Sequence, residues 1–296
     1  MAAESIYRSE AWRAAIERHY DRALERLPFP TESTMVPTRF GNSHVLVTGP
    51  ADGPPVVIFQ GGNVVNPLTL AWFAPLAGRL RIYAPDTIGQ PGRSAGRRVS
   101  ANDSSLGDWA TDILDALAVP TAGFVGISYG GGVLLRLAAV APERIERAVF
   151  VVPAGIADVP ILSMLKLAAG YLGYRAVNRR SVVTATVRQL AGPDPDPLMV
   201  ESTALAFRGT QLDTEMPRNA TTEELAGLTA PVMVIVGADD PLFRPDRILP
   251  RSRDLFANLV ATDTLDGCAH ILRPTCAEDL CGRIGPFLTA ATDPAL

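Results

Sequence analysis

The spacing of apolar residues changes period along the chain. Over residues 9–26, Trp12, Ile16, Tyr20 and Ala23/Leu24 recur at helical spacing, predicting an amphipathic helix that Pro28 and Pro30 end. Residues 34–40 and 44–48 then read as strands with Gly41 and Asn42 as turn residues, so an antiparallel hairpin is expected. From Pro54-Pro55 onwards, short apolar runs alternate with helical stretches. Strands are predicted at 56–59, 81–84, 123–127, 148–152, 232–236 and 259–264, and helices at 67–77, 104–118, 131–140, 246–256 and 276–288. Runs such as 56–59 are apolar at every position, as a strand buried on both faces requires. This alternation predicts an α/β fold, a mostly parallel, doubly wound sheet of about eight strands covered by helices.

Between 153 and 229 the alternation stops. The stretch is helical and apolar at first, then carries the Pro/Asp-rich loop 192–197, then further helical pieces. A helical cap over the carboxyl ends of the strands is expected, because ligands sit there in such sheets. The chain thus divides into a core domain, 1–152 with 230–296, and a cap or lid, 153–229; residues 1–30 form an N-terminal helical extension.

Composition narrows the class. With 47% hydrophobic and 20% charged residues, the 296-residue chain has the balance of a soluble globule with a sizeable core. The net charge of −4 gives no overall pull towards nucleic acid or an anionic membrane, so neither is an expected partner. The longest apolar-rich run, 159–174, is short for a membrane span and is broken by Lys166, the only lysine, and by two glycines. The first residues lack a signal-peptide apolar core, and a cytoplasmic location is expected. The three cysteines, Cys268, Cys276 and Cys281, form neither a disulfide framework nor a zinc pattern; reduced thiols without a metal are expected.

The chemistry concentrates in Gly126-Ile127-Ser128-Tyr129-Gly130. A G-x-S-x-G between a buried strand and a helix is a nucleophile elbow, which lifts the serine oxygen above the sheet. A dinucleotide fingerprint needs glycine where Ser128 stands, so the same glycines do not bind a pyrophosphate. Serine needs a base, and of His19, His44 and His270 only His270 follows the serine, in a loop after the last strand. His19 and His44 read as surface or packing residues. The third member should be a carboxylate after strand 232–236, where Asp239 and Asp240 are adjacent and the physics does not choose between them.

From about Val36 onwards the sequence resembles the α/β-hydrolase superfamily, in its group of bacterial carboxylesterase-like proteins. The resemblance rests on 57–62, on Asp86 to Ser94, on the elbow, on Pro231 to Asp240 and on Gly267 to His270. The family's G-x-x-D pattern points to Asp240 as the acid, and Asp86 resembles its structural loop aspartate. The resemblance implies an oxyanion hole from the backbone N–H groups of Tyr129 and Gly62. Here Gln60-Gly61 replaces the usual His-Gly, and glutamine is expected to take over that histidine's loop hydrogen bonds.

A serine hydrolase acting on an ester or related acyl bond follows, with Ser128, Asp240 and His270 as triad and no cofactor or metal. The apolar cap residues Ile161, Leu165, Tyr171, Leu172 and Tyr174 favour an uncharged, hydrophobic acyl substrate. The same triad would serve a lactonase, thioesterase, peptidase, carbon–carbon bond hydrolase or acyl-cyclising enzyme, and a non-catalytic receptor on this scaffold is the reading from another class. Oligomeric state is not legible in the sequence.

Overall fold

A computed structural model describes residues 5–212 and 215–290. Helix α1 (Glu10–Glu25) starts at Ser9, whose side chain accepts from the Trp12 N–H. Strands β1 (Glu32–Thr38) and β2 (Gly41–Thr48) form the hairpin, but its two turn residues are Arg39 and Phe40. Gly41 already belongs to β2, paired with Thr38.

The alternating part follows as β3 (Pro55–Phe59), α2 (Asn66–Leu70), β4 (Arg81–Pro85), α3 (Ser105–Ala116), β5 (Ala122–Ile127), α4 (Tyr129–Val140) and β6 (Ile145–Val151). The predicted helix 67–77 is short: α2 stops at Leu70 and passes into a 3₁₀ segment, Ala71–Leu76, which contains Pro75. Proline lacks the N–H that a continuing α-helix would use. After β6 come α5 (Ile161–Val177), α6 (Arg180–Ala191) and α7 (Pro197–Gly209), then β7 (Val232–Gly237), α8 (Pro245–Leu255), β8 (Leu259–Leu265) and α9 (Pro274–Thr289).

The eight strands form one sheet in the order β1-β2-β4-β3-β5-β6-β7-β8. Only the β1–β2 and β2–β4 pairs are antiparallel; the rest are parallel. Successive strand residues point to opposite faces, so the sheet separates two cores. Val57, Phe59 and Phe124 pack with Trp109 of α3 and Leu134 of α4. Val56, Ile58 and Val125 pack with Phe73 and with Leu280 of α9 on the other face. Trp109 is fully buried, and its indole N–H donates to Ser43 Oγ at 2.8 Å.

Helices α5–α7 lie apart from the sheet, α5 packing on α6 and α7 on α6 and α1. Tyr20 of α1 donates its hydroxyl proton to Asp86 Oδ1 at 2.8 Å, while Asp86 Oδ2 accepts the Arg93 N–H. The loop after β4 is thereby tied to the first helix. His19 and His44 are both buried in this region, His44 within 3.3 Å of the Tyr20 hydroxyl.

Candidate active site

Strand β5 ends at Ile127 and α4 begins at Tyr129, so Ser128 alone makes the turn. Its φ of 51° and ψ of −116° lie outside the regions an L-residue prefers, a strain of about 1–3 kcal/mol. The end of β6 holds it there: the Ser128 N–H donates to Val151 O (3.0 Å), and its carbonyl accepts from Ala154 (2.9 Å) and Gly131 (2.8 Å). Only glycine fits at position 130, where a Cβ would stand 2.1 Å from the Phe59 carbonyl oxygen. Strand β3 and the start of α4 are therefore in direct backbone contact. The loop after β3 is delivered beside the serine.

Three side chains from three loops meet at this point. Asp240, after β7, accepts from His270 Nδ1 on Oδ2 at 2.9 Å; His270, after β8, has Nε2 3.0 Å from Ser128 Oγ. Asp240 Oδ1 accepts the Leu242 and Phe243 N–H groups at 2.7 and 3.1 Å. Burial pushes this carboxyl up, but the His270 charge and hydrogen bond and the two N–H groups outweigh it and hold it below its ordinary value. An ionised Asp240 only accepts, so Nδ1 carries the imidazole proton and Nε2 is left to accept from the serine hydroxyl. Asp239 is exposed, while Asp240 is 2% exposed, which settles which aspartate meets the histidine.

The loop after β3 passes close to both elbow residues. A Cβ on Gly61 would lie 3.9 Å from Ser128 Cβ, and one on Gly62 3.2 Å from Tyr129 Cβ. Gln60 Nε2 donates to Val64 O at 2.7 Å, so the glutamine makes a loop-closing bond of the kind expected of it. Residues that sequence patterns did not single out complete the frame. Gln90 Oε1 accepts the Asn63 N–H (2.7 Å), and Ser202 Oγ of α7 accepts the Val65 N–H (3.3 Å). Ser163 of α5 donates to Pro241 O (2.7 Å), and Leu190 O of α6 accepts the Ile271 N–H (2.8 Å). Each helix between β6 and β7 thus touches one loop of the site. These bonds use ordinary serines, glutamines and backbone groups, which carry no sequence signal.

Two expectations are corrected. Cys268 and Cys276 are not reduced thiols: they form a disulfide, with Cα atoms 5.9 Å apart, and only Cys281 is free. The loop after β8 folds back so that Cys268 meets Cys276 in the first turn of α9, which counting cysteines does not reveal. The bridge spans His270, which lies two residues after Cys268, and it sits poorly with a reducing cytoplasmic setting. By the chain-entropy relation a loop this short adds about 2.5 kcal/mol. Reduction is expected to lower the thermal midpoint by roughly 4 °C and to lower kcat through a looser His270; a midpoint and kcat indifferent to reductant would overturn this role. Second, Ile161, Leu165 and Leu172 do not face the site but are 59–75% exposed on the outer side of α5. Tyr171 instead packs edge-on against Phe207, and Tyr174 is buried.

Residues 54–272 match the family described as alpha/beta hydrolase fold. The chain belongs to that family. Being an α/β hydrolase, it is an enzyme of the hydrolase class. It is similar to carboxylesterase YbfK of Bacillus subtilis, 26% identical over 278 residues that cover 91% of this chain and 92% of the relative. It is also similar to the uncharacterized carboxylesterase nap of the same organism, 24% identical with 92% of each chain covered. The crystal structure of carboxylesterase CesB (YbfK) from Bacillus subtilis superposes with a TM-score of 0.82 at 22% identity, covering 95% of this α/β hydrolase and 100% of that chain. No helix among the described residues is long and apolar enough to cross a membrane.

Proposed function

We propose that this α/β hydrolase is a carboxylesterase that cleaves small, uncharged esters through an acyl-enzyme on Ser128. The observation that carries this is the unbroken hydrogen-bonded line from Ser128 through His270 to Asp240. The similarity to two carboxylesterases over nine-tenths of the chain supports the ester as substrate. His270 Nε2 takes the hydroxyl proton as Ser128 Oγ attacks the ester carbonyl, and Asp240 stabilises the imidazolium. The oxyanion would be held by the Tyr129 N–H, at the start of α4, and by the Gly62 N–H. His270 then protonates the departing alkoxide. Water repeats the sequence on the acyl-enzyme and releases the acid.

Val64, half-buried in the loop after β3, places apolar surface near the elbow and supports an uncharged acyl group, while the buried Phe243 backs the imidazole at 5.5 Å between ring centroids. The helices between β6 and β7 would act as a cap, through the bonds from Ser163, Leu190 and Ser202. The test is hydrolysis of a p-nitrophenyl ester series from acetate to octanoate, followed from the first turnover. An initial burst, with neutral acyl chains preferred over succinyl or aminoacyl esters, is the expected result. Preference for charged acyl groups would sink the substrate assignment. No turnover of any ester, with no labelling of Ser128 by a fluorophosphonate, would sink the enzyme mechanism itself.

A further inference from the structure

Helix α5 is apolar on every side, yet it lies at the surface. Its inner side presents Met164, Leu167, Tyr171 and Tyr174, none of which is exposed. Its outer side presents Ile161, Leu162, Leu165, Ala168, Ala169, Leu172 and Ala176, all exposed. Of the nine large hydrophobic residues exposed among the described residues, five are on this helix: Ile161, Leu162, Leu165, Leu172 and Val177. A helix apolar all round is ordinarily enclosed, and an unbroken apolar strip of about 25 Å, the length of α5, marks a surface that something covers.

Charge says what covers it. The overall net charge of −4 hides a segment, residues 159–193, that carries Lys166, Arg175, Arg179, Arg180 and Arg188 and no acidic residue. Lys166 and Arg175 project along the two edges of the apolar strip, about 180° apart around the helix axis. Arg179 and Arg180 follow at its carboxyl end, all four exposed. None of the five is paired with a carboxylate among the described residues; Arg188 donates to the Pro193 carbonyl and Arg175 lies over the Tyr171 ring. A second copy of the chain, docked face to face, would set these cations against their own kind. An anionic lipid surface meets both properties, since apolar side chains enter the acyl boundary while lysine and arginine stems reach the phosphates.

We propose that the outer face of α5 docks the protein onto anionic lipid surfaces, with Ile161, Leu162, Leu165 and Leu172 inserted and Lys166, Arg175, Arg179 and Arg180 on the headgroups. This goes beyond the esterase reading and does not depend on it. Residue 163 of the same helix is bonded to the loop that carries Asp240, so a docked α5 would hold the acid's loop near the lipid boundary.

The test is co-sedimentation of the full chain with vesicles of phosphatidylcholine alone and of phosphatidylcholine doped with phosphatidylglycerol. Binding should be about tenfold or more stronger to the doped vesicles and should fall as salt is raised. The double variant Leu165→Glu/Leu172→Glu should lose binding to both, and Arg179→Glu/Arg180→Glu should lose the preference for the anionic lipid. Both should hydrolyse a soluble p-nitrophenyl ester as the wild type does, or, if that assay is silent, keep its thermal midpoint. No binding to doped vesicles, or binding that survives both double substitutions, would overturn the proposal. So would a wild-type dimer in analytical ultracentrifugation that Leu165→Glu/Leu172→Glu dissolves, because a second copy would then be the occupant.

Discussion

Ser128→Ala is expected to lower kcat for ester hydrolysis by about 10⁶-fold while leaving the fold in place. In the proposed mechanism the hydroxyl oxygen is the atom that attacks, and alanine has no atom to take its place. Alanine meets much the same backbone strain as serine at φ 51°, and the backbone bonds to Val151, Ala154 and Gly131 do not involve the side chain. The thermal midpoint should therefore stay close to that of the wild type. A residual rate roughly 10³–10⁴ above the uncatalysed one would remain if the Tyr129 and Gly62 N–H groups still bind the oxyanion. The measurement is kcat and KM on p-nitrophenyl butyrate for both proteins, with unfolding curves alongside. A variant within tenfold of the wild type would place the nucleophile elsewhere.

The next largest effect is expected at Asp240. Asp240→Asn should reduce kcat by about 10⁴-fold with little change in KM, because an amide can donate to Nδ1 and turn the imidazole so that Nε2 carries the proton. Such a ring cannot accept from Ser128. Asp239→Asn is the control one residue away, and its exposed carboxylate should be dispensable to within a few-fold. Reversal of the two results would move the acid to Asp239. Stability carries a second signature. Since the folded Asp240 carboxyl lies below its unfolded value, its contribution is fully present above pH about 4 and fades as the pH falls through the lower folded value. Asp240→Asn should remove that part of the acid dependence, seen as a flatter midpoint-versus-pH curve at the acid end.

The parallel sheet was legible because strands buried on both faces must be apolar throughout, and 56–59, 123–127 and 232–236 are. Ser128 and His270, which the structure places 3.0 Å apart, were legible for different reasons. The serine stands out by its glycine neighbours, the histidine because it alone follows the serine. Asp240 needed the family pattern, since periodicity treats two adjacent aspartates alike. Gln90, Ser202 and the 151–154 turn stayed hidden, for they act through single hydrogen bonds to distant backbone. The direction α5 faces was hidden too: a helix apolar on all sides has no moment to orient it, and its exposed leucines looked like a pocket lining.

The single lysine gives this geometry a practical use. Lys166 is exposed on α5, and a protease specific for lysyl bonds has one site in the whole chain, within the segment that joins β6 to β7. Digestion would report on that helix alone. Cleavage requires about a turn of α5 to unwind, so the nicking rate measures how often the helix opens, and any surface that seats on its outer face would slow the cut without touching the catalytic loops.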